Sequence, residues 1–136
     1  MAAYNKFNSF VEAIAEKVHN LGSDTLTVAL TAAANAPVAG NTQLSNLTQI
    51  SYTNLSARTI TVSASSQTSG TYSLVTTDKV LTASGGTVAT FRYVAIYNDT
   101  AANDELIAWY DHGSDVTLAD GETYTIDFGS SLFTLV

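Results

Sequence analysis

The apolar positions of the chain change period once. Phe7, Val11, Ile14, Val18 and Leu21 are spaced four, three, four and three apart, which lines them up on one stripe of a helix. The spacing predicts an amphipathic helix over about residues 6–21. Asn5 or Ser9 would cap it, Ser9 and Glu12 stand at capping-box spacing, and Gly22 would supply the left-handed residue that ends it. Past Ser23 the period becomes two. Leu26, Val28 and Leu30 alternate with Thr25, Thr27 and Thr31, and Ile60, Val62 and Ala64 alternate with Thr59, Thr61 and Ser63. That is the pattern of half-buried strands with threonine on the wet face. Further strands are predicted over 72–76, 79–83, 88–97, 105–110, 123–128 and 132–136. Residues 91–97 and 106–110 are largely apolar on both alternating faces, so they belong at the centre of a sheet covered on both sides. Gly85-Gly86, Asn98-Asp99, Gly113-Ser114 and Asp120-Gly121 punctuate the strands, the last as a hairpin pair.

Residues 32–56 are longer than an ordinary connection and hold the single proline, Pro37. They read as an extended loop or arm, with a short helix around 44–50 as the alternative. No internal repeat is present, and 136 residues make one domain, 1–136, the natural unit. One N-terminal helix and seven or eight short strands predict a mainly β protein, an antiparallel β-sandwich or jelly-roll-like domain. Composition points the same way. Charged residues are only 12% of the chain, about half the usual share, and Ser and Thr, about a quarter of the residues, supply the missing polarity.

Five basic against twelve acidic residues give a net charge of −7, which repels phosphate backbones and argues against nucleic acid as a partner. The absence of cysteine excludes disulfides, thiol nucleophiles and Cys-ligated zinc. No apolar run approaches the ~20 residues of a membrane span, and the first residues lack the pattern of a secretory signal. The expectation is a soluble protein made in the cytoplasm, with no membrane partner.

Candidate chemistry is sparse. His19 falls in the last turn of the expected helix, where a surface cation suits the dipole. His112 lies between Asp111 and Asp115, and Asp111, His112 and Ser114 are the parts of a hydrolase triad. Neighbours on one turn point in different directions, however, and triads are recognised by geometry. The expectation is therefore no enzyme and no cofactor. Oxygen-rich stretches at Asp99–Glu105 and Asp111–Asp115 could hold a structural cation, although turn chemistry explains them as well and the calcium-loop pattern is absent. Gly85-Gly86 lacks the lysine and the strand-to-helix context of a phosphate loop. Phe91, Tyr93 and Tyr97 fall on one face of their strand, with Trp109 and Tyr110 on the next. They read as core, or, if exposed, as the platform of a carbohydrate-binding module.

Longer segments carry a resemblance. The opening helix leading into His19-Asn20-Leu21-Gly22-Ser23-Asp24-Thr25-Leu26, then Val28-Ala29-Leu30-Thr31 and Ala36-Pro37-Val38-Ala39, resembles the start of a family of small structural proteins of tailed bacteriophages. So do Arg92-Tyr93-Val94-Ala95-Ile96-Tyr97-Asn98-Asp99-Thr100-Ala101, Leu106-Ile107-Ala108-Trp109-Tyr110-Asp111-His112-Gly113-Ser114 and Gly121-Glu122-Thr123-Tyr124-Thr125-Ile126-Asp127-Phe128. The middle of the chain, about 41–87, is outside the likeness. The resemblance implies a virion protein on the capsid surface, a decoration or cement protein whose partner is the major capsid protein. A tail, neck or fibre component is the alternative within the virion. Mating with a symmetric shell favours a homo-oligomer, and a trimer would match local threefold positions. Residues expected to meet partners are Phe7, Phe10, Val11, Ile14 and Val18 of the expected helix, and Leu132, Phe133, Leu135 and Val136 in the last strand.

Overall fold

The structure is a computed structural model and describes residues 2–136. Among these residues nine strands and one helix follow in the order β1 (Asn5–Lys6), α1 (Ser9–Ala15), β2 (Leu26–Thr31), β3 (Val62–Thr68), β4 (Thr71–Thr76), β5 (Lys79–Thr82), β6 (Phe91–Asn98), β7 (Leu106–Val116), β8 (Thr123–Ile126) and β9 (Phe133–Leu135). Every strand pairing is antiparallel. The sheets run β1-β7-β6-β2, β3-β4-β9 and β5-β8, so the two strands that are apolar on both faces are the central ones. Val28, Val94, Ile96 and Tyr110 of the largest sheet share one core with Leu74 of β4, Leu81 of β5 and Ile126 of β8. The protein is mainly β, its antiparallel sheets facing one another across that core as in a β-sandwich.

The opposite face of the largest sheet is also covered. Phe7, Ala29, Ala95, Tyr97 and Leu106 form a second cluster there, with Leu44, Leu47 and Trp109 against it. Residues 32–56 supply the cover and lie along the protein instead of reaching away as an arm. The amide of Leu44 donates to Asp104 O, that of Leu106 to Thr42 O, and that of Ile50 to Leu30 O. The helix considered for 44–50 is a single 3-10 turn at Leu44–Asn46. All six residues of β2 are buried, threonines included, which corrects the half-buried reading. The outer edge of β2 is closed by Val28 N–H donating to Arg58 O and Ile60 N–H to Leu26 O, so it offers no open edge for another chain. The Arg58 guanidinium donates to the Val28 carbonyl and lies 3.7 Å over the Tyr52 ring. The Tyr52 hydroxyl in turn accepts from the Leu30 amide at 3.0 Å.

The helix is much shorter than the stripe predicts. At its front, Asn5 and Lys6 pair with Trp109 and Ala108, and the Phe7 amide donates to Ile107 O at 3.1 Å. Phe7 therefore lies outside the helix, bonded to β7 just past the end of β1, and is fully buried in the second cluster. Asn8 occupies the cap position with helical backbone angles and makes no side-chain cap, so the Ser9–Glu12 capping box does not form. At its rear, Lys17 adopts φ +67°, Lys17 N–H donates to Ile14 O and Val18 N–H to Ala13 O. These are the reversed bonds of a Schellman ending. The chain turns at Lys17 because Leu21 and Leu26 enter the core, and Gly22 is not among the positive-φ glycines. A side chain in the left-handed region is strained. Lys17→Gly is accordingly expected to raise the unfolding free energy by about 0.5–1 kcal/mol, read from the shift of the urea midpoint.

Three connections also depart from expectation. β7 continues past Tyr110 to Val116, its register against β6 moving from Tyr93↔Asp111 to Phe91↔Val116. The additional residues form a bulge in which Gly113, at φ +91°, supplies the backbone that other residues avoid. Asp120-Gly121 does not close a hairpin, since β7 and β8 lie in different sheets and β8 pairs with β5. β3 runs past Ala64 to Thr68 and returns through Ser69-Gly70, both at positive φ, as a tight hairpin to β4.

Candidate docking surface

The two ends of the described chain meet at α1. Phe10 is buried, with its ring edge-on to Phe133 of β9 at 5.2 Å. Tyr72 of β4 lies 6.0 Å from the other side of that contact. Next to it is an apolar groove of about 180 Å³, bounded by Phe10, Val11 and Ile14 of α1, by Tyr4 and Lys6 beside β1, and by the residues of β9. Val11 is 55% exposed and Leu135 48%, and Val136 beside it is fully exposed. β1 pairs only with β7 and β9 only with β4, so each strand next to the groove carries one edge with no strand partner among the described residues.

Of the nine residues expected to meet partners, Phe10, Val11, Ile14, Phe133 and Leu135 line this one groove. Val136 is exposed next to it. Phe7 and Leu132 are not surface anchors, because each is buried in a core cluster. Val18 lies beyond the end of α1, half-buried, and does not line the groove. Tyr4 and Lys6 were not among the expected residues, and a two-residue strand is too short to show a period. Burial pushes the Tyr4 phenol up to about 12, and its hydroxyl is enclosed without a hydrogen-bond partner.

The other candidates separate. Asp111 binds Arg92 through both oxygens, at 2.8 and 3.1 Å, and also accepts from the Gly113 amide. The Arg92 hydrogen bond, then that amide, holds its carboxyl below the ordinary range. His112 instead faces Tyr124, whose hydroxyl lies 3.1 Å from Nδ1. Among the described residues no hydrogen bond joins Asp111, His112 and Ser114. At the other end of the hairpin, Asp99 accepts from the Thr27 hydroxyl, and Glu105 from the amide and side chain of Asn103. Among the described residues no cluster of three metal-ligating side chains forms.

The aromatic set is divided between two faces. The register shift next to Tyr93 places Phe91 in the main core with Val94 and Ile96, while Tyr97 joins the second cluster. Trp109 is half-buried on Phe7, ring centroids 4.6 Å apart, and Tyr110 is buried, so the five rings do not make one platform.

His19 is the clearest departure. It is 8% exposed, not a surface cation, and its ring lies 5.4 Å from Phe10. Burial lowers its pKa, opposed by the nearby Glu105 and Asp24 carboxylates.

No protein family, curated protein or solved structure matches the chain. Fold and site together define a class: an antiparallel β protein with an apolar groove between its helix and an edge strand. Among the described residues no helix is long and apolar enough to cross a membrane.

Proposed function

We propose that this chain is a structural protein of a tailed-bacteriophage virion, a capsid decoration or cement protein that binds the major capsid protein at the head surface and stabilises the shell. The observation that carries the reading is the groove between α1 and β9. It gathers residues about 120 positions apart in sequence into one apolar surface, next to a strand edge able to accept a partner's backbone. Such a surface is stable in water only when small, and it gains roughly 25 cal/mol for each Å² a partner covers. The segment resemblance supplies the kind of partner. Its segments include most of β6 and β7 and all of β8, and β7 is the strand that pairs with β1 and packs against α1 beside the groove. Repetition over a symmetric shell favours a homo-oligomer of this chain, with a trimer matching threefold positions.

The test is the number of copies of this chain per purified particle, measured by quantitative mass spectrometry against the major capsid protein. A simple ratio to the capsid subunit, on the order of hundreds of copies, is the expected result for a shell-wide protein. A dozen copies or fewer would move the chain to the tail, neck or fibre, and absence from the particle would discard the virion reading.

A further inference from the structure

Asn98, at the end of β6, is fully buried and its carboxamide is engaged on both sides. Its Oδ1 accepts from the amides of Thr100 and Ala101, at 3.0 and 3.1 Å, which shapes the β6–β7 turn. Its Nδ2 donates to His19 Nδ1 at 2.9 Å and to Asp24 Oδ2 at 2.6 Å. Asp24 Oδ2 also accepts from the Asn20 amide at 2.7 Å. The two turn amides fix which way the carboxamide points, since only its oxygen can accept from them. The nitrogen must then face His19, so Nδ1 must be a bare acceptor and the imidazole proton must sit on Nε2. That nitrogen is enclosed with no hydrogen-bond partner.

We propose that His19, Asn98 and Asp24 form an acid-sensitive latch joining the loop between α1 and β2 to the β6–β7 turn. A proton added at Nδ1 would point at the Asn98 N–H. Turning the carboxamide over relieves that clash but takes its oxygen away from Thr100 and Ala101 and sets it against the Asp24 carboxylate. Moving the imidazole out breaks the same contact. Every route therefore breaks the side-chain contact between loop and turn, while Asp99 N–H to Thr25 O and Thr25 N–H to Thr100 Oγ1 still hold the two segments together. The groups that face His19 are Phe10 from α1, Asn98 from β6, Asp24 from its own loop and Glu105 at the entry to β7. The two carboxylates favour the cation, but burial outweighs them, so the folded ring binds its proton less readily than the unfolded one. The sign follows: the latch's contribution to stability is complete above the unfolded value, about 6.5, and is lost as the pH falls below it. Because Phe10 packs on the same ring and also bounds the apolar groove, acid release extends to that surface.

The experiment is a pH titration of the ¹⁵N-labelled full chain, from above the ordinary histidine range to well below it. The His19 imidazole and the amides of Thr100 and Ala101 are followed. The expected result is the Nε2–H tautomer at high pH and a His19 midpoint below the ordinary histidine value of about 6.5, with both turn amides shifting at the His19 midpoint. In His19→Gln the carboxamide oxygen accepts from Asn98 at every pH, so that shift should disappear. An Nδ1–H tautomer, or a His19 titration that leaves both amides unmoved, overturns the proposal. If His19→Gln does not fold, the tautomer and the coincidence of midpoints in the wild-type chain decide the question.

Discussion

Phe7→Ala is expected to lower the unfolding free energy by about 3–5 kcal/mol, the usual range for emptying a buried aromatic site. A domain of this size has about 5–15 kcal/mol in total, so one substitution removes a large share of it. The effect is this large because Phe7 is fully enclosed. Its ring lies 4.6 Å from Trp109, and Ala29, Ala95 and Leu106 surround it on rigid strands. Its amide also carries the last bond between the β1 segment and β7. Urea unfolding followed by Trp109 fluorescence reads the loss directly, as a lower midpoint at unchanged slope. A change below about 1 kcal/mol would mean that the ring is not part of the core.

Under the proposed capsid-binding role, Val11→Lys combined with Leu135→Lys is expected to abolish binding to bare phage heads while leaving the fold intact. Both side chains are about half exposed and reach the same groove from different elements. The free protein loses little, since exposed positions of this kind usually change stability within about 0.5 kcal/mol. The complex loses much, because each lysine would bring an unpaired charge into an apolar contact. Co-sedimentation with bare heads reads binding, and the urea midpoint reads the fold. Undiminished sedimentation would remove the groove from the interface.

What the sequence makes legible is burial by alternation. β2, β4, β5 and β8 fall within a residue or two of the period-two runs, and β6 and β7 sit centrally, as stretches apolar on both faces require. The misreadings share a cause: local pattern was outvoted by contacts from far along the chain. Phe7 continues the helix stripe perfectly, yet its amide bonds to Ile107 of β7 just past the end of β1, outside the helix. Thr27 and Thr31 look like a wet face until residues 49–60 close over them. Lys17 carries no turn signal, and its left-handed backbone follows from where Leu21 must go. The groove is half legible, since the apolar residues of α1 and β9 stand out in the sequence. That the two would meet depends on β4, which holds β9, and on β7, which holds α1. The burial of His19 is not legible because its hydrogen-bond partner is Asn98, 79 positions away, itself held by Asp24.

The same distance governs how the chain folds. Within the largest sheet β6–β7 is the only pair of bonded strands that follow one another in sequence, whereas the bond from Asn5 to Trp109 spans 104 positions and that from Thr27 to Asp99 spans 72. Joining such remote segments costs closure entropy before any of their contacts form, which places topologies of this kind at the slow end of two-state folding, at roughly milliseconds to seconds. The β6–β7 hairpin is the one part of that sheet able to form early. The rest of the sheet must assemble around it, so the rate at which this protein becomes usable is set by chain search and not by the strength of its core.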